Sequence, residues 1–174
     1  MTALDFGGSA CGKSGYGEKL ARTLCTRGEL LYLATMEPFG REAAERIEKH
    51  RRQRAGMGFR TVEWFRDLEH CPIPEGSTLL LEDLGNWTAN EVFASDSREP
   101  AQARMIRALD QLQARAEYLV VIGNDLFRDG QVYPRETELY LDTLARVQGE
   151  LARRSDTVVE LVCGLPVIWK GEGL

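Results

Sequence analysis

Apolar residues along this 174-residue chain fall in short runs rich in Leu and β-branched types, and between those runs hydrophobicity recurs at helical spacing. The runs predict strands at Thr2 to Phe6, Leu30 to Thr35, Phe59 to Val62, Thr78 to Glu82, Tyr118 to Gly123, Thr157 to Cys163 and Val167 to Lys170. The stretches between them predict helices at 13–27, ending before Gly28; at 40–54; at 99–116, opening at Pro100; and at 136–154, opening just after Pro134. Strands that alternate with helices imply an α/β fold, a mostly parallel sheet of about seven strands with helices on both faces. The last two strands are joined only by Gly164-Leu165-Pro166, which leaves no room for a crossover, so they predict an antiparallel hairpin at one edge. No repeat, low-complexity segment or Pro/Gly/Ser linker divides the chain, and residues 1–174 read as one domain.

Composition narrows the function. With 43% hydrophobic residues the chain can bury a sizeable core. Lys and Arg total 22 against 27 Asp and Glu, a net charge of −5, which argues against a protein that coats nucleic acid or anionic lipid and requires any phosphate-binding to be local. No run approaches the length of a membrane span, and the opening MTALDFGG lacks a basic, then apolar, leader, so the sequence reads as cytoplasmic. Cys11, Cys25, Cys71 and Cys163 form no C-x-x-C pair and read as reduced thiols.

Directly after the first predicted strand stands Gly7-Gly8-Ser9-Ala10-Cys11-Gly12-Lys13-Ser14, which fits G-x-x-x-x-G-K-[ST]. Glycines let such a loop turn its backbone N–H groups onto phosphate oxygens at the start of a helix, while the lysine reaches the β/γ-phosphates and the serine hydroxyl ligates Mg²⁺. ATP or GTP is therefore the expected substrate, in a P-loop, RecA-like domain. The same chemistry calls for a carboxylate at the end of a neighbouring strand, and Leu79-Leu80-Leu81-Glu82-Asp83 supplies two. Adjacent strand residues point oppositely, so the sequence leaves open which of Glu82 and Asp83 meets the metal. Asn124-Asp125 ends another strand on the same edge. The guanine-reading motif of a GTPase switch is absent, since the corresponding segments read Gly123-Asn124-Asp125-Leu126 and Asp83-Leu84-Gly85-Asn86. A motor ATPase would have little chain beyond the nucleotide-binding core.

The segment from Arg41 to Arg54 is helical on local grounds, because Glu42/Arg46, Glu45/Lys49 and Glu48/Arg52 place an acid before a base at i,i+4. Its C-terminal half is basic: residues 41–66 hold eight Arg or Lys against four Glu, a local +4 in a chain of net −5. A solvated charged face is one reading. The other turns on His50, inside the patch: surrounding cations favour a neutral imidazole able to attack phosphorus and can hold the phosphates of its target. His70, in a loop beside Cys71-Pro72, reads as structural.

Taken in order, the P-loop, E-R-I-x-x-H-R-x-x-R, Arg60-Thr61-Val62-Glu63, L-L-L-E, Val132-Tyr133-Pro134 and Val162-Cys163-Gly164-Leu165-Pro166 resemble the bifunctional adenosylcobinamide kinase/adenosylcobinamide-phosphate guanylyltransferase family of cobalamin biosynthesis, nearly end to end. The resemblance implies two reactions: phosphorylation of the aminopropanol hydroxyl of adenosylcobinamide by ATP or GTP, and transfer of GMP from GTP, through a guanylylated histidine matching His50, to adenosylcobinamide phosphate. It implies nucleotide contacts at Gly7, Gly8, Ser9, Ala10, Cys11, Gly12, Lys13 and Ser14, at Thr35, Met36 and Glu37, at Arg51, Arg52, Gln53 and Arg54, and at Glu63 and Glu82. Lys13 and His50 would be catalytic, Ser14 with Glu82 or Asp83 would hold Mg²⁺, and the partners would be nucleotide, corrinoid and further copies of the chain, a trimer by family precedent. The chain departs from the family at Pro38-Phe39-Gly40-Arg41, at Asp83 to Trp87 and in the loop 125–134, which is expected to face the corrinoid. A P-loop small-molecule kinase without a histidine intermediate and a non-catalytic nucleotide-binding regulator are the alternatives.

Overall fold

In the computed structural model, which describes residues 1–94, 99–128 and 130–172, the elements run β1 (Thr2–Gly7), α1 (Lys13–Leu24), β2 (Leu30–Ala34), α2 (Gly40–Arg54), β3 (Arg60–Glu63), a 3₁₀ turn (Leu68–His70), β4 (Thr78–Glu82), α3 (Leu84–Val92), α4 (Ala101–Arg115), β5 (Tyr118–Ile122), α5 (Arg135–Arg154), β6 (Thr157–Val162) and β7 (Leu165–Lys170). The side chains of Glu42, Ala43, Arg46, Lys49 and Gln53 are also outside the described set, so the expected pairs Glu42/Arg46 and Glu45/Lys49 and the contact at Gln53 lie beyond it.

The strands form one seven-stranded sheet in the order β3-β2-β4-β5-β1-β6-β7, parallel throughout except for the β6/β7 edge pair. The hairpin turn is tighter than Gly164-Leu165-Pro166 suggests. It consists of Cys163 and Gly164, both in the left-handed region (φ 51° and 83°), and Pro166 lies inside the edge strand, where no inner neighbour needs its missing N–H.

The central strands are buried on both faces, and successive side chains alternate between them. Leu4, Leu31, Leu33, Leu79, Leu81, Leu119 and Val121 face α3, α4 and α5, whose Leu84, Trp87, Leu109, Leu112, Leu144 and Val147 complete that core. Ala3, Tyr32, Leu80, Val120 and Ile122 face the other way, onto Leu20 and Ala21 of α1. α1 packs so closely that a Cβ at Gly17 would lie 2.5 Å from Ile122 Cδ1 and 3.2 Å from Asp5 Oδ2. Asp5 is fully buried beneath it with neither oxygen partnered, and burial raises its carboxyl from 3.8 to about 7.

Two elements differ from the sequence reading. α1 ends at Leu24 rather than 27, because the chain must leave the helix to make the left-handed turn at Gly28, which passes against the Gly76 carbonyl. α3, after the acidic strand, has no counterpart among the predicted helices. Asp83 caps it, accepting from Asn86 N–H at 2.7 Å, and Leu84, Trp87, Thr88 and Glu91 form its buried stripe at i, i+3, i+4 and i+7.

Candidate active site

The parallel strands β1, β2, β4 and β5 end together, and the polar groups that follow them collect on that edge. The loop after β1 is tightly wound. A Cβ at Gly7 would lie 2.6 Å from the Leu161 carbonyl and 2.7 Å from Cys11 Sγ, and Gly12, at φ 95°, turns the chain into α1. No side chain caps α1, so its first N–H groups remain directed at the loop's mouth. Lys13 Nζ donates to the Gly8 carbonyl at 2.9 Å, and the Gly164 N–H donates to the Cys11 carbonyl at 2.9 Å, which braces the loop from the β6/β7 turn.

Strand pleat separates the two carboxylates. Glu82 lies two residues after Leu80 and so faces α1, where its Oε1 accepts a 2.6 Å hydrogen bond from Ser14 Oγ. Asp83 is engaged by α3, its Oδ1 taking both the Asn86 N–H and the Asn86 side-chain amide. The donor set of Ser14 and Glu82, hard oxygens with Glu82 Oε2 buried and unpartnered, fits Mg²⁺, which keeps several waters and takes one or two protein oxygens. Among the described residues no group of three or more His, Cys, Asp or Glu is assembled as a metal cluster.

His50 comes to the same carboxylate, its Nδ1 3.8 Å from Glu82 Oε1, in ion-pair range but too long for a hydrogen bond. The basic run around it is not a ring of free cations. Arg51 pairs with Glu63 and Arg52 with Glu48, and Arg52 lies about 200° around the helix from His50. Arg54 is turned into the protein, over the ring of Tyr32. Glu18, one turn beyond Ser14 on α1, is buried as well. Burial and then Glu82 raise the Glu18 carboxyl, and Arg54 opposes them. Burial first, then the Glu82 charge, likewise holds the Tyr32 hydroxyl above its usual range. Glu18 and Tyr32 are the site neighbours that sequence reasoning misses, since a Glu on a helix and a Tyr in a strand carry no motif.

Thr35 is buried at the end of β2, its Oγ1 donating to the Asp83 carbonyl at 2.8 Å. Beyond it Glu37, Glu63, Trp64, Phe65, Arg66, Asp67 and His70 line an open cleft of about 400 Å³, so His70 borders the site rather than a core. Met36 is half-buried between Thr35 and Glu37. The cleft is braced from α3 by Asn90, whose amide donates to the carbonyls of Thr35 (2.8 Å) and Phe65 (3.0 Å). On the other flank Asn124 accepts from the Gly85 N–H at 2.9 Å, and Asp125 is tied to Arg128. Asn124 and Asp125 thus serve as joints of the site's edge. Asp129, inside the loop 125–134, is outside the described residues.

The model of the cobinamide kinase / cobinamide phosphate guanyltransferase family matches residues 3–168 of this chain. The chain belongs to that family. Among similar members, the bifunctional adenosylcobalamin biosynthesis protein CobP of Pseudomonas aeruginosa is 27% identical and aligned over all of both chains. The bifunctional adenosylcobalamin biosynthesis protein CobU of Salmonella typhimurium is 28% identical over 96% of this chain and 98% of its own. The fold is shared more widely than the family. The flagellar accessory protein FlaH of Methanocaldococcus jannaschii, at 12% identity, superposes with a TM-score of 0.52 over 98% of this chain and 78% of its own. The ATPase domain of G40P, at 11% identity, gives 0.51 over 99% and 78%. These likenesses agree with the P-loop, RecA-like sheet expected from the sequence. No described helix is long and apolar enough to cross a membrane.

Proposed function

We propose that this member of the cobinamide kinase / cobinamide phosphate guanyltransferase family phosphorylates adenosylcobinamide and then transfers GMP to adenosylcobinamide phosphate through His50. The observation that carries the reading is the run of contacts Ser14, Glu82, His50, which joins a P-loop hydroxyl, an acidic strand end and an imidazole.

In the first reaction the acceptor hydroxyl attacks the γ-phosphorus, its proton is released, and the nucleoside diphosphate leaves. Lys13 and the N–H groups of the loop from Gly7 to Ser14 hold the phosphates. Ser14 and Glu82 would hold Mg²⁺, which when bound neutralises charge on the phosphate oxygens. In the second, His50 attacks the α-phosphorus of GTP; a P–N bond forms, the bond to the bridging oxygen breaks and pyrophosphate leaves. A carboxylate facing Nδ1 favours the proton there and leaves the Nε2 lone pair for attack. An oxygen of the acceptor phosphate then displaces His50, giving adenosylcobinamide-GDP. Glu37, Glu63 and the cleft they line are supported as the nucleotide's further contacts, together with Thr35, Met36 and Arg51, by their position beside this run; Arg52, paired with Glu48, and Arg54, turned onto Tyr32, are not proposed as contacts.

Incubation with GTP labelled at the α-phosphate tests the reading. The expected result is an acid-labile, alkali-stable protein label, equimolar with released pyrophosphate and absent in His50→Ala. Label that persists in His50→Ala overturns His50 as nucleophile, and phosphorylation of adenosylcobinamide with no label at all leaves a kinase alone. The homo-oligomer implied by the resemblance is supported by the β7 edge, where Leu165, Val167, Ile168 and Trp169 are exposed, and solution mass by light scattering tests it.

A further inference from the structure

α2 has little to seat it by hydrophobic burial. Its sequence, GREAAERIEKHRRQR, holds one large aliphatic side chain, Ile47, and among its described side chains only Arg54 is buried, at 7% exposure. The Arg54 guanidinium carbon lies 3.3 Å from the centroid of the Tyr32 ring, and Tyr32 is itself held edge-on by Phe59, with ring centroids 6.0 Å apart at 83°. His50 stands four residues before Arg54 and therefore on the same face, one turn away. A rotation of α2 by one residue, about 100°, would carry His50 off Glu82.

We propose that Tyr32 is a positioning residue for nucleotidyl transfer: its ring is a seat for Arg54 that fixes α2 in the rotation that brings His50 to Glu82. The proposal rests on the reading of His50 as nucleophile. Tyr32 does not touch the reacting atoms: its ring acts through Arg54, while its hydroxyl lies beside Glu82. The seat needs a flat cation, which stacks on the phenol face as an ammonium does not.

The test is the single-turnover rate of His50 labelling by α-labelled GTP across a range of GTP concentrations. Tyr32→Leu is expected to slow labelling about tenfold or more while the half-saturating GTP concentration stays within about twofold, the separation expected when a nucleophile is misplaced but nucleotide still binds. Tyr32→Phe, which keeps the ring and removes only the hydroxyl beside Glu82, is expected to label within about twofold of the parent protein, and a loss as large as that of Tyr32→Leu overturns the seat by placing the effect on the hydroxyl. A purely structural contribution would lower the melting temperature without separating rate from GTP affinity. If Tyr32→Leu does not fold, Arg54→Lys, which keeps the charge without the stacking plane, carries the test with the same expected outcome. Labelling of these variants at the parental rate, or a rate loss matched by loss of GTP affinity, overturns the proposal. If the parent protein takes no His50-dependent label, the nucleophile reading falls first and the proposal with it, a result visible before any seat variant is made.

Discussion

Ser14 Oγ and Glu82 Oε1, 68 residues apart in sequence, meet at 2.6 Å. The pair couples the start of α1 to the end of β4, two elements whose strands are not neighbours in the sheet, since β5 lies between β4 and β1.

Glu82→Gln keeps the size of the side chain and removes its charge. We expect it to lower both phosphoryl and guanylyl transfer by about 100-fold or more and to raise the Mg²⁺ concentration needed for half-maximal rate. Because Ser14 and Glu82 act as a unit, the Ser14→Ala/Glu82→Gln double variant should lose little more than the worse single one, as kcat/KM measurements will show. Lys13→Ala should abolish both reactions, and retained turnover would refute the P-loop assignment.

Asn90 joins two segments that line the cleft. Asn90→Ala removes hydrogen bonds worth about 1 kcal/mol each, so the nucleotide KM should rise by about 5- to 30-fold with a smaller change in kcat. An unchanged KM would show that the cleft does not hold the nucleotide.

Glu91 is the buried hub on the far side of the cleft. It accepts from Trp87 Nε1 at 3.1 Å, from the Asp67 N–H at 2.8 Å and from two nitrogens of Arg104 at 3.0 and 2.8 Å. Arg104→Ala leaves that carboxylate buried without its counter-charge and should cost about 3–5 kcal/mol in denaturant unfolding. Exposed pairs such as Arg41 with Glu45 should cost less than about 1 kcal/mol.

Asp5 makes stability depend on pH. Its folded pKa, about 7, lies above the ordinary 3.8, so the folded state binds the proton more tightly than the unfolded chain does. The stability it allows is fully present below pH 3.8, declines as pH rises from there to 7, and is lost above, a total of about 4 kcal/mol at about 1.4 kcal/mol per pH unit. Asp5→Asn should flatten that part of the melting-temperature profile and raise stability at pH 8; a profile unchanged by the substitution would remove Asp5 as its source.

All seven strands and four of the five helices were legible in sequence because short apolar runs and helical periodicity report which segments are buried. α3 was not read, although Asp83 as a cap and the spacing of Leu84, Trp87, Thr88 and Glu91 were there to see. Gly85 and Asn86, poor helix formers, stand in its first turn and weaken the local helical signal. The basic patch shows a different limit. Its count of charges is plain in sequence, but which cations remain free is not, and Arg51 and Arg52 are paired with carboxylates.

By itself the sequence determined the phosphate-binding loop, the parallel sheet with its edge hairpin, and the family, because each of these follows from neighbours along the chain: glycines at fixed spacing, apolar periods, a short turn. Only the tertiary structure decided that Glu82 rather than Asp83 meets Ser14, that His50 faces a carboxylate, and that Arg54 is buried on Tyr32. Those outcomes depend on strand pleat and on the rotation of α2 against the sheet, which are set by packing between segments distant in sequence, where no local pattern reaches.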